Sequence, residues 1–226
     1  MLEFFNSPKV AEQMNYLIQH IPLAIWETVY TTVVASVCAY LIGLPLGVLL
    51  VVGAKDGIRP ISQPLMQGIN AVINLLRSMP FLILMVLVMP LSRFIMGTSI
   101  GTVGVLVPLS VAAAPFVARL VESSLREMDR GVLEAAQAMG CTTFQIVWKV
   151  LLPESLPSLL SGFTTAFVTI LGYGAMSGFI GGGGLGPMAL QYAWNNQKMV
   201  VLYGAVIVLV ILVQIFQSIG TRATVR

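Results

Sequence analysis

The segment Glu134-Ala135-Ala136-Gln137-Ala138-Met139-Gly140, closed after nine further residues by Val150-Leu151-Leu152-Pro153, is a moderately polar helix-and-turn inside an otherwise apolar chain. A chain that keeps such an elbow between two greasy runs presents it to something outside the bilayer. Of the residues, 57% are hydrophobic and only 9% are charged, against roughly 25% charged in soluble domains. Mean hydropathy is +0.91, more apolar surface than a water-soluble core of this length hides. The net charge of +3 does not indicate nucleic acid, because the twelve Lys and Arg are scattered through apolar sequence and read as topology markers. Residues 1–20 carry Glu3, Lys9 and Glu12 and lack the basic start and apolar run of a cleaved leader. Cys38 falls in an apolar run and Cys141 in the elbow, so neither a disulfide nor a metal cluster is expected.

The apolar runs on either side of the elbow divide into membrane spans. A helix crosses the hydrocarbon core with about 20 apolar residues. The spacing predicts an all-α membrane protein with five spans at about 21–54, 60–92, 94–124, 154–178 and 199–221, the elbow occupying about 125–153. Pro45 is expected to bend the first span without ending it. The uncharged run 155–197 is too long for one helix, so Gly181–Gly186 with Pro187 is read as an irregular outer loop buried in protein. An odd span count puts the termini on opposite sides. With the N-terminus outside, the inner segments hold Lys55, Arg59, Arg119, Arg126, Arg130, Lys149, Arg222 and Arg226, and the outer ones only Lys9, Arg93 and Lys198. That asymmetry places the elbow and the C-terminus in the cytoplasm. Residues 1–20 then form an outer-face segment, with Phe4, Phe5, Val10, Met14, Leu17 and Ile18 as an apolar face against the membrane or the first span.

Local chemistry explains the elbow's shape. The alanines favour helix, and Glu134 near its start complements the positive end of the helix dipole. Gly140 permits the sharp turn into a second short helix at about Thr143–Lys149, and Pro153 suits the start of the next helix. Taken alone, these residues are equally compatible with an ordinary interfacial hairpin.

Glu-Ala-Ala, three residues, Gly, nine residues, an aliphatic residue, one residue and Leu-Pro resembles the signature loop of the transmembrane subunits of bacterial ABC importers, with Val150 in the usual isoleucine place. Arg77-Ser78-Met79-Pro80-Phe81, Gly97-Thr98-Ser99-Ile100-Gly101, Ala113-Ala114-Pro115-Phe116-Val117-Ala118-Arg119 and Gly183-Gly184-Leu185-Gly186 extend the likeness from about Trp26 onward, toward the methionine-uptake type.

The resemblance implies a type I ABC importer permease fold over 21–221. It also implies ATPase-coupling roles for Glu134, Ala135, Ala136, Gly140, Val150, Leu152 and Pro153. The implied assembly is a homodimer of this chain in the bacterial inner membrane with two cytoplasmic ATPase subunits, fed by an outer methionine-binding lipoprotein. The cargo would be methionine, in the L form and by the same likeness the D form, and the surrounding phospholipid is the remaining partner. The chain has no Gly-x-x-x-x-Gly-Lys-Ser/Thr loop, so it is expected to hold no cofactor and no metal, with ATP and Mg bound by the partner. ATP would close the ATPase pair, draw the elbows together and open the cavity outward, and hydrolysis would reverse the movement.

Weaker signals mark a pathway or gate. Arg77 lies inside the second span, where translocation scales charge about 2.5–3.5 kcal/mol for a cation and such groups turn to protein or water. Ser78 and Pro80 beside it are expected to loosen the span, and Tyr173 and Ser177 are further pathway candidates. Asn70, Asn74, Thr164, Thr165 and Thr169 are polar groups available to an amino acid. The small-residue pairs Gly43/Gly47, Gly97/Gly101 and Gly174/Gly178 are candidates for helix contacts or the dimer interface. Three alternatives stand beside the main reading. One is an ABC permease for another amino acid or small organic solute. A membrane hydrolase would need acid–base partners for Ser177 that the spans lack. A stand-alone channel or secondary transporter would be expected to carry intramembrane carboxylates, and none lies between Thr28 and Val121.

Overall fold

The computed structural model describes residues 8–224, and among them there are helices and turns but no strands. Phe4, Phe5 and Arg226 lie outside the described residues. The first helix, α1 (Pro8–Val52), is 45 residues long with Pro22 and Pro45 inside it. At ~1.5 Å per residue it is roughly twice as long as a bilayer core is thick. The boundary expected near residue 20 is therefore not a break. Pro22 forfeits one backbone bond, but no glycine or cap nearby stops the helix.

The run expected as one second span comes in two pieces, α2 (Gln63–Ser78) and α3 (Phe81–Met96), bent by 111°. Pro80 is the cause: its ring pushes Met79 out of the helical region to φ −74°, ψ 136° and leaves no N–H to carry the ladder on. A left-handed Gly97 ends α3. A short turn at Gly101–Gly104 then leads into α4 (Leu106–Arg126), so the third span starts later than the uncharged run suggests. Among the described residues, four helical segments are long and apolar enough to cross a membrane, and five if the bent pair counts as one span.

The core lies between α1 and α4, which run parallel. Gly43 faces Val117 and Gly47 faces Val121 so closely that a Cβ at either glycine would stand 2.6 Å from the valine's Cγ1. Of the three small-residue pairs, this one seats a helix contact. Gly97 and Gly101 are instead turn residues with positive φ. Gly178 packs on the backbone of Gly186 and Pro187. Ala35, Ala39, Leu109, Ala113 and Ile170 complete the same core. Around it pack α7 (Leu156–Met176) and α8 (Met199–Thr224), joined to the elbow described below and to the loop 177–198.

At the end of the bundle remote from the elbow, Glu27 of α1 ties three segments together. Its carboxylate accepts from the Thr102 hydroxyl at 2.8 Å and from the Gly184 N–H at 2.8 Å. The adjacent Thr28 hydroxyl accepts from the Leu185 N–H at 2.9 Å, and the Gly101 N–H donates to the Gly181 carbonyl at 2.7 Å. The glycine tract is thus an irregular loop whose backbone is satisfied by protein. Residues 8–20 are anchored nearby. Tyr16 stacks on Tyr192 at 3.8 Å and on His20 at 3.9 Å. Lys198 donates to the Tyr192 hydroxyl at 2.7 Å, and that bond is the main cause of its raised pKa. Of the apolar face expected here, Val10 is buried and Leu17 half-buried, whereas Met14 and Ile18 are exposed.

Candidate functional site: the elbow and the broken span

The elbow is built from two short helices with well-formed ends. Asp129 caps α5 (Arg130–Ala138), its carboxylate accepting from the Gly131 N–H at 2.8 Å. The far end closes on Gly140 at φ +75°. The Gly140 N–H reaches the Gln137 carbonyl at 2.9 Å and the Cys141 N–H the Ala136 carbonyl at 3.2 Å. This is a paired left-handed cap that satisfies two orphan carbonyls. Thr142 then opens α6 (Thr143–Ile146) with a reciprocal capping box to Gln145. The helix continues through a widened turn at Val147–Leu151 into Leu152–Glu154. The Leu152 N–H bonds five residues back to Val147, directly ahead of Pro153, which has no N–H to give. Pro153 therefore stands at the start of the short Leu152–Glu154 segment that follows the widened turn, and Pro157 stands in the first turn of α7.

The predicted coupling residues divide by exposure. Glu134, Ala135, Gly140 and Pro153 are exposed, Val150 and Leu152 are half-buried, and Ala136 is buried. Ala136, Ile146 and Leu151 form the inner side of the elbow. Three large apolar side chains are the most exposed of their kind in the elbow. Met139 is 76% exposed, Phe144 71% and Trp148 59%. Phe144 and Trp148 are one turn apart with ring centroids at 6.1 Å, and Met139 stands beside Gly140 at the bend. The motif does not include these three. Their signal was an aromatic pair four residues apart, Phe144 and Trp148, set among Thr142, Thr143, Gln145 and Lys149.

The elbow is fastened to the bundle at its base. Arg130 pairs with Asp56 in the loop after α1 at 3.0 Å, and the Ser158 hydroxyl donates to Glu127 at 2.6 Å. Leu151 belongs to the main core, with Val51, Val52, Met128 and Val147 packed against it.

A second group of predicted residues meets at the break between α2 and α3. Phe81, the first residue after the break, stacks on Tyr173 of α7 with centroids 3.9 Å apart and planes 13° from parallel. Leu76, Met79 and Phe81 pack against a buried cluster of Leu84, Val88 and Ala112, the last near the middle of the 101–126 span. Arg77, Ser78 and Pro80 are exposed here, and the Ser78 hydroxyl donates to the Asn74 carbonyl at 2.7 Å. Ser177 is not part of this cluster. It is buried in the glycine loop, its carbonyl accepting from Gly182 at 2.9 Å.

One turn below Arg77, Asn74 and Asn70 of α2 both accept from Arg119 of α4, at 2.9 and 2.7 Å. Arg119 also pairs with Glu122 at 2.5 Å, which in turn holds Arg126 at 3.1 Å. Thr164, Thr165 and Thr169 donate to carbonyls of their own helix. Among the described residues no three His, Cys, Asp or Glu side chains gather as metal ligands would, and both cysteines are free.

Residues 43–223 match a family described as the binding-protein-dependent transport system inner membrane component. The chain is 46% identical over 197 residues to a probable D-methionine transport system permease protein of Vibrio cholerae, covering 87% of each. It is 45% identical over 169 residues to the D-methionine transport system permease protein of Escherichia coli, covering 75% of this chain and 76% of that one. Among solved structures, an inward-facing conformation of the MetNI methionine ABC transporter superposes with a TM-score of 0.88 at 43% identity, over 93% of this chain and 96% of that one. An amino acid ABC transporter with histidines shares the fold at a TM-score of 0.66 and 19% identity.

Proposed function

The chain belongs to the family of binding-protein-dependent transport system inner membrane components and is a permease subunit of an ABC importer; from that premise we propose that its cargo is methionine and that the elbow 125–153 is where a separate ATPase grips it. The observation that carries the coupling role is the outward-facing tip of Met139, Phe144 and Trp148 on two capped helices. Exposed aromatics on a preformed support are the anchors that binding surfaces use. The exposed faces of Glu134 and Ala135 lie beside this tip, while Ala136, Val150 and Leu152 support it from within. The relatives' D-methionine naming and the likeness to a methionine transporter support the cargo.

The rest of the assembly follows from the same reading. Two copies of this chain sit in a bacterial inner membrane with two ATPase subunits, which alone bind ATP and Mg, and an outer lipoprotein delivers the amino acid. The N-terminus is outside and the elbow inside, a reading that the distribution of Lys and Arg supports. Residues 8–20, projecting past the membrane on the outer side, are the nearest part of α1 to the arriving lipoprotein.

The test is reconstitution of the permease with its ATPase in proteoliposomes, with the lipoprotein outside and ATP inside. Uptake of radiolabelled methionine is expected to need all three proteins. Trp148→Asp and Phe144→Asp are expected to weaken ATPase binding by about 2 kcal/mol each, as buried aromatic anchors do, and Glu134→Lys to lower uptake, all three without loss of membrane insertion. Uptake by the permease alone without ATP would instead favour a channel. ATPase binding unchanged by either aspartate would remove the tip from the interface.

A further inference from the structure

The polar residues of α2 are not scattered. Gln63, Gln67, Asn70, Asn74 and Arg77 follow one another at steps of four, three, four and three, which places them in a single stripe along one helix face. The opposite face, with Leu65, Ile69, Val72 and Leu76, lines an apolar groove against α1 and α4. A helix of a membrane protein gains nothing by turning amides to lipid, so the stripe faces protein or water. Arg119 with its Glu122 partner fills the middle of it through Asn70 and Asn74.

Arg77 is the exception. It is exposed at the top of the stripe, at the break near mid-span, and among the described residues no hydrogen-bond acceptor or carboxylate pairs with it. The other cations without an ion-pair partner among the described residues (Lys9, Lys55, Arg59, Arg93, Lys149 and Arg222) lie at or beyond the ends of the membrane segments, where water or headgroups solvate them. A guanidinium in the interior needs an anion, and its planar fork matches a carboxylate in two-pronged fashion.

We propose that Arg77 reads the carboxylate of the passing amino acid, at the mid-membrane end of a hydrated path whose wall is the polar stripe of α2. This rests on the importer reading and deepens it by naming the part of the cargo that the permease itself contacts. The break supplies the opening: with Met79 extended and Pro80 turning the chain through 111°, the Arg77 side chain is not crowded by a following helical turn. The Phe81–Tyr173 stack lies at the same break, on the first residue of α3. An apolar thioether side chain suits such a surface, and sulfur–aromatic contacts are favourable.

Two measurements on the complete transporter test this. In proteoliposomes with lipoprotein and ATP, Arg77→Gln is expected to cut methionine uptake about tenfold while ATP hydrolysis stays within about twofold, and Arg77→Lys, which keeps the charge but loses the two-pronged fork, to recover only part of the uptake. In the detergent-solubilised transporter carrying Ser78→Cys, methionine is expected to slow alkylation of the new thiol, whereas methioninol, which keeps the amine and thioether but has no carboxylate, is not. Normal uptake by Arg77→Gln, or equal slowing by methionine and methioninol, overturns the proposal. So does a joint loss of uptake and hydrolysis in an assembled Arg77→Gln transporter that Arg77→Lys does not rescue, because a carboxylate of the second copy would then be the partner. A wild-type transporter that moves other amino acids but not methionine would overturn the methionine assignment while leaving the carboxylate contact to the alkylation result.

Discussion

Gly140 holds φ at +75° with open space around its α-carbon, since an added Cβ would meet nothing within 4 Å. The constraint is therefore conformational rather than steric, and substitutions should rank by tolerance of the left-handed region. Asn is expected to be mildest, Ala to cost about 1 kcal/mol and a β-branched residue more. Amide hydrogen exchange at Cys141 and methionine uptake should worsen in the same order. A larger loss for Asn than for Ala would show that size at this position, not backbone geometry, is what the partner senses. The motif made Gly140 legible in the sequence. The reason it must be glycine is visible only in the two carbonyls that its turn satisfies. Met139, Phe144 and Trp148 were harder to read, because an exposed aromatic and a buried one look alike in a chain that is mostly apolar.

Among the elements, α1 and α4 show how far periodicity carries. The apolar runs gave the helices, and the glycine spacing gave a candidate seam. Which glycine pair packs and which pair turns depends on neighbours distant in sequence. Gly47 meets Val121 and the Ala118 carbonyl, so Gly47→Leu has nowhere to place its side chain. It should destabilise the pair by about 3 kcal/mol or more, as overpacking of a tight contact does. Thermal stability of the purified transporter would register the loss, whereas Gly68→Ala, at a glycine with open surroundings, should change it little. The second span shows the opposite case. Hydropathy saw one continuous run over 60–92, because averaging is blind to a single proline. Ser78 and Pro80 were the local clue, and the size of the bend follows from the backbone that Pro80 imposes on Met79.

At the scale of the whole molecule, the parallel pair α1–α4 joins the elbow to the glycine loop. The Arg130–Asp56 pair and the Leu151 packing fix the elbow to the lower ends of both helices, and Glu27, Thr28 and Thr102 hold the loop at their upper ends. The Arg130–Asp56 pair is exposed and contributes only about 0.2–1 kcal/mol, so the apolar packing and the glycine seam bear most of the connection. Spin labels placed on Val52 and Arg126 are therefore expected to keep their separation with ATP, with ADP and without nucleotide. In the proposed two-copy assembly, labels on Arg126 of each copy should change theirs. A nucleotide-dependent change within one copy would show that the seam slides.

The seam also has a mechanical meaning. Two helices locked in register by glycines behave as one stiff rod of roughly 40 Å, the length of a 26-residue helix. A torque applied at the foot of that rod is not absorbed by bending along the way. It reappears at the head, where one carboxylate, that of Glu27, holds the Gly184 amide and the Thr102 hydroxyl together.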